Sequence, residues 1–90
     1  MNIYQLRCFL SVADTLHFGR AAQSMDMLPA SLGRQIKILE NQLDTKLFFR
    51  TTRNVSLTAA GSAILEDARL LVAQADQLEE KIRAIRKNEK

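Results

Sequence analysis

The residues best suited to act on a partner lie in the stretch 27–43, MLPASLGRQIKILENQL. Ala30, Gly33, Arg34, Lys37 and Asn41 recur there as one stripe of an expected helix. The stripe is small at its start, then cationic, then amide. Small side chains let a backbone come close to a ligand, and Arg and Lys suit a phosphate or the acceptor edge of guanine. A mid-helix glycine costs roughly 1 kcal/mol against alanine, so Gly33 reads as a point of close approach. The plainer reading is a solvated face with an indifferent glycine. No comparable set exists for catalysis. One His and one Cys, with no nucleophile–base pair, cannot build a triad. There is no phosphate-binding glycine loop and no Cys/His cluster, so no enzyme, cofactor or metal is expected. The acids read as solvated groups scattered along helices. Cys8, beside Phe9, reads as a buried thiol, and a single cysteine fits a reducing cytoplasm.

The stripe needs a helix to carry it. Leu32, Ile36, Leu39 and Leu43 step by four, three and four on the other side, the mark of an apolar face. Pro29 suits the first helical position, where its missing N–H costs nothing. Upstream, residues 3–16 read as a helix with Leu6, Phe9, Leu10, Ala13 and Leu16 on one face. His17 takes the cap position, and a short helix follows over about 18–25 with Phe18, Ala21, Ala22 and Met25 inward. Residues 26–28 connect it to the third helix. A narrow, alanine-lined helix joined by about three residues to another is the helix-turn-helix pattern, here about 18–37.

After Leu43 the period changes. Residues 46–51 (KLFFRT) are rich in strand formers, 52–54 form a polar turn and 55–57 return. A hairpin over about 46–57 is expected, with Arg50 and Arg53 at or near its tip. Following a helix-turn-helix it reads as a basic wing, or more plainly as an edge hairpin kept soluble by charge. Thr58 is a good N-cap for a last helix over 59–90. Ile64, Ala68, Leu71, Ala75, Leu78, Ile82 and Ile85 alternate steps of four and three, a heptad seam that Leu65 and Val72 widen. At 1.5 Å per residue this is a rod of about 42 Å. No other helix is long enough to match it, so its expected partner is a second copy. Residues 87–90 read as a frayed end.

Composition agrees with this outline. The chain of 90 residues is 47% hydrophobic and 26% charged, as in a soluble domain. No apolar run nears the ~18 residues of a membrane helix, and no signal peptide is visible. Residues 1–58 hold seven basic and four acidic side chains, whereas 59–90 hold six of each. A basic head favours a polyanion, nucleic acid before membrane.

Taken in order, Leu6-Arg7-x-Phe9, Ala13-Asp14, Phe18-x-Arg20-Ala21-Ala22, Arg34-Gln35-Ile36-x-x-Leu39-Glu40, Leu47-Phe48-x-Arg50-Thr51 and Leu57-Thr58-x-Ala60-Gly61 resemble the N-terminal domain of LysR-type transcriptional regulators. The resemblance implies a mainly α fold. A winged helix-turn-helix of three helices and a two-stranded hairpin would fill residues 1–58, and a long linker and dimerisation helix 59–90. It implies sequence-specific binding to double-stranded DNA at an interrupted palindrome, by a bacterial, cytoplasmic homodimer whose linker helices pair antiparallel. An effector domain normally follows in the family, and higher oligomers need it. None of it is present, so the chain reads as the DNA-binding part of a longer regulator.

The segment matching Pro29–Lys37 would enter the major groove, and the position matching Arg53 the backbone or minor groove beside it. The expected DNA-facing set is Phe18, Arg20, Pro29, Ala30, Ser31, Gly33, Arg34, Lys37, Arg50 and Arg53. Arg34 and Ser31 would read bases or phosphates, and Lys37 would hold phosphates. Ala30 would touch a thymine methyl, and Arg20 a phosphate or a cap. The sequence departs from the family where Ser-Gln-Pro usually opens the third helix: Leu28, Pro29 and Ala30 stand there, without the serine cap or the glutamine. Gly33 stands where Ser or Thr is common. The alternative is a dimeric protein-interaction module whose winged helix binds a partner protein. Such hot spots favour Trp and Tyr, whereas this chain has no Trp and only Tyr4.

Overall fold

The computed structural model describes residues 1–88. The first helix, α1 (Ile3–Thr15), is started by Asn2. The Asn2 side chain accepts the Gln5 N–H at 2.8 Å, and the Gln5 side chain accepts the Asn2 N–H at 3.0 Å. This reciprocal capping box satisfies two N–H groups the helix cannot pair itself. The buried residues of α1 are Gln5, Leu6, Cys8, Phe9 and Val12. The inward face is therefore broader than the expected stripe, because α2, α3 and α4 all cover α1. Leu10 and Ala13 lie at its edge. Leu16 does not join it: it is the left-handed C-cap of α1 (φ 51°) and stays 44% exposed.

His17 caps α2 (Phe18–Ser24), its Nδ1 accepting the Arg20 N–H at 3.0 Å. Ala21 and Ala22 are fully buried and let the next helix cross closely. That helix, α3 (Pro29–Leu43), opens on Pro29 and buries Leu32, Ile36 and Leu39. Leu43, expected inward, is 38% exposed at its last turn, just before Asp44 turns left-handed. Leu28 occupies the N-cap but makes no side-chain cap bond. Leu28→Ser supplies the missing acceptor, worth about 1 kcal/mol. We expect the melting temperature to rise by about 4–8 °C, as thermal unfolding followed by circular dichroism would show.

Strands β1 (Phe48–Arg50) and β2 (Val55–Leu57) pair antiparallel, with Phe48 opposite Leu57, Phe49 opposite Ser56 and Arg50 opposite Val55. The first strand is shorter than 46–51 because Lys46 and Leu47 bond outside the hairpin. The Leu47 carbonyl accepts the Thr58 N–H at 3.0 Å, and the Lys46 carbonyl accepts the Thr58 hydroxyl at 2.7 Å. Thr58 in turn caps α4 (Ala59–Asn88), its hydroxyl accepting the Gly61 N–H at 3.1 Å. Gly61 has no alternative here, since a Cβ would run into the Leu47 carbonyl oxygen. Lys87 and Asn88 continue the helix where a frayed end was expected. Residues 89 and 90 lie outside the described residues.

Phe9, Val12, Leu32, Ile36, Leu39 and Leu47 fill the core, with the Phe48 ring tilted 44° against Phe9 at 5.4 Å between centroids. Ala68 of α4 closes it at 2% exposure. Two ion pairs, Arg7–Asp76 and Arg69–Asp14, both 2.8 Å, strap α1 to α4. Arg7 also reaches Glu79 at 3.9 Å, and beyond it the rod projects, which stretches the molecule to 54 Å along one axis against 25 and 19 Å across.

Candidate nucleic-acid interface

Burying Leu32, Ile36 and Leu39 against α1 and α2 turns the other side of α3 outward. Pro29, Ala30, Ser31, Arg34 and Lys37 are all exposed there. No acidic residue stands between Met27 and Leu39. Among the described residues neither Arg34 nor Lys37 forms an ion pair, in contrast to Arg7 and Arg69. Their charge is therefore free to meet an anion.

The wing tip is shaped by Thr51. Its hydroxyl accepts the N–H groups of Asn54 at 3.0 Å and Arg53 at 3.3 Å, and its own N–H bonds the Asn54 carbonyl at 2.9 Å. Arg53 is held exposed on this turn. A shallow groove lined by His17, Phe18, Gly19, Thr51 and Arg53 separates the tip from the start of α2. Arg20 is exposed on α2, with its backbone N–H already used by His17.

Three residues of the expected DNA-facing set, Phe18, Gly33 and Arg50, lie beside one another. Arg50 ends β1 opposite Val55, next to the tip. Its guanidinium sits 4.5 Å from the centroid of the Phe18 ring and 3.8 Å from the Glu40 carboxylate. A Cβ on Gly33 would lie 3.4 Å from the same guanidinium. That is an ordinary van der Waals contact, so this neighbour does not by itself require a glycine at position 33. Phe18 is half-buried and meets Phe48 edge-on at 6.4 Å. These contacts fix the wing against α2 and α3, with the cation–π pair worth about 0.5–1 kcal/mol.

Glu40, expected to be solvated, is 3% exposed. Its Oε2 accepts the N–H groups of Leu47 at 2.7 Å and Phe48 at 3.2 Å. One carboxylate therefore ties the end of α3 to the start of the wing. The sequence signal was faint: Glu40 follows Leu39 directly, at the edge of the apolar face. Gln5 was missed for the same reason, a polar residue whose role is to cap rather than to face water. Cys8 is fully buried, and burial pushes its thiol pKa up, away from nucleophilic chemistry.

The heptad seam divides in two. Ala68 belongs to the domain's own core, and Ile64 packs against that core half-buried. Ala75 is half-buried as well. Leu71 borders an apolar recess formed with Met1, Leu6, Leu43 and Ile64. Leu78, Ile82 and Ile85 are 64%, 52% and 55% exposed. Only the stretch from Leu71 onward is free to receive another helix.

A winged helix-turn-helix with an outward cationic stripe defines a class of regulator, and comparison with known proteins places the chain within it. Residues 3–62 match the family described as bacterial regulatory helix-turn-helix protein, lysR family. The regulator TtuA of Agrobacterium vitis is 50% identical over 84 residues, covering 93% of this chain and 28% of TtuA. XapR of Escherichia coli is 46% identical, with 93% and 29% covered. The chain thus spans less than a third of the length of these curated relatives. Among solved structures, the CbnR DNA-binding domain in complex with DNA superimposes with a TM-score of 0.86 at 35% identity, covering 94% of this chain and 98% of that one. Full-length OxyR from Pseudomonas aeruginosa gives 0.89 at 32% identity, with 93% and 28% covered. The chain belongs to the LysR family and comprises the DNA-binding domain of a LysR-type helix-turn-helix transcriptional regulator.

Proposed function

We propose that this chain binds double-stranded DNA sequence-specifically, as a homodimer on an interrupted palindrome. It would act in the bacterial cytoplasm as the DNA-binding part of a longer regulator, and larger assemblies would depend on the remainder of that protein. The carrying observation is the unpaired, outward stripe from Pro29 to Lys37, with Arg53 held on the wing beside it. The same fold is solved with DNA in the CbnR complex. Arg34 and Ser31 read base edges or phosphates, Lys37 holds phosphate and Arg53 reaches the adjacent groove or backbone. Arg20 supplies a further phosphate contact, and Phe18, Pro29, Ala30, Gly33 and Arg50 complete the DNA-facing set.

A mobility shift at several salt concentrations tests this. Log affinity should fall with log salt, with a slope of about −0.9 per phosphate neutralised. Arg34→Ala should cost about 1–3 kcal/mol and relax specificity at one base position, whereas Lys37→Ala should weaken all sequences alike. A flat salt response would favour the protein-interaction alternative. An Arg34→Ala loss that is equal for target and random DNA would remove its role as a base reader.

A further inference from the structure

Leu28 is the most exposed large hydrophobic side chain among the described residues, at 71%. It stands in extended conformation (φ −76°, ψ 145°) at the N-cap of α3 and caps nothing. It is not tucked under the helix either, because Met27 beside it makes the packing against the core. Leu28, Pro29, Ala30 and Ser31 are all exposed, and no charged side chain occurs from Met27 to Gly33. The leading end of α3 is therefore an uncharged, mostly apolar knob, and the cations begin only at Arg34.

Such a knob gains nothing from phosphate. The groups that line the floor of the major groove are hydrogen-bonding donors and acceptors, with one apolar exception, the thymine 5-methyl. Helix-turn-helix proteins bring the N-terminal residues of the recognition helix to base edges. Leu28 is continuous with that end, and its exposed isobutyl group reaches further than the single methyl of Ala30. We infer that Leu28 is a specificity-determining residue that reads a thymine methyl in each half-site. This rests on the reading of α3 as the DNA-recognition helix.

The test uses the 90-residue chain and a duplex that it selects from a random pool. Each thymine of the selected duplex is replaced in turn by deoxyuridine, which removes only the methyl group. At one position per half-site the wild-type protein should lose about fourfold in affinity, the burial of a single methyl. Leu28→Ala should still bind but be indifferent to that replacement, and Leu28→Met, which keeps an apolar reach, should remain sensitive. The inference is overturned if no deoxyuridine weakens binding, or if Leu28→Ala keeps the same penalty. Selection that yields no preferred sequence would overturn the role of α3 itself, which distinguishes the two failures.

Discussion

Replacing Leu78 and Ile82 together by aspartate is expected to turn the protein into a monomer. These two side chains lie on the outer half of the seam, 64% and 52% exposed, and reach none of the core. Soluble monomers avoid an apolar stripe of this kind, and a period of 3.5 suits a second helix laid alongside. Four aspartates facing one another across the pair would be buried without partners, which is strongly unfavourable. Neither substitution touches α3 or the wing, so each head keeps its weak half-site affinity. With the link between heads lost, binding to a complete palindrome should fall by about 100-fold or more. Sedimentation at micromolar concentration and a mobility shift on one and two half-sites provide the readouts. A wild-type monomer, or a dimer undisturbed by both substitutions, would overturn the pairing.

Glu40→Ala should be strongly destabilising, although Glu40 is a charged residue. It removes the acceptor for two N–H groups, Leu47 and Phe48, in a buried position. An unsatisfied buried donor costs about 1–3 kcal/mol, against a total stability of about 5–15 kcal/mol for a domain. At about 4–8 °C per kcal/mol, the melting temperature should drop by about 10 °C or more. Glu40→Gln keeps an acceptor oxygen for both N–H groups and replaces the oxygen facing Arg50 at 3.8 Å by an amide NH2, so its drop should be smaller. Protein concentration must be held fixed, since the proposed dimerisation would couple to unfolding. A melting temperature unmoved by Glu40→Ala would show that the α3–wing junction is held by packing alone. A full loss with Glu40→Gln would show that the ion pair dominates.

The helices and the hairpin were legible because each announces itself locally. The four–three steps of Leu32, Ile36 and Leu39, the cap residues His17 and Thr58, and the polar break between two strand-forming runs all survive in the structure. Leu16 and Leu43 misled because periodicity runs to the very end of each helix, where Leu16 is already the left-handed cap and Leu43 sits in the last turn beside one. Ala68 misled because one heptad pattern serves two surfaces, the domain core first and the open seam afterwards. The outward stripe of α3 was readable as a pattern of charge. What local pattern could not show was the turn of Arg50 back onto Phe18 and Glu40, since that depends on how the hairpin folds over α2 and α3. Glu40 was hidden by its type: a buried carboxylate looks like any surface acid until the N–H groups it serves are placed.

The straps from α1 to α4 carry a consequence for distance. Arg7–Asp76, Arg69–Asp14 and the buried Ala68 fasten the head to its rod between Ala68 and Asp76. The rod is 30 residues long, about 45 Å at 1.5 Å per residue, and one DNA turn is about 34 Å. Paired in opposite directions as proposed, two such head-and-rod pieces would work as callipers. They would gauge the gap between half-sites by their own length, and a spacer changed by half a turn would carry one half-site to the far side of the duplex.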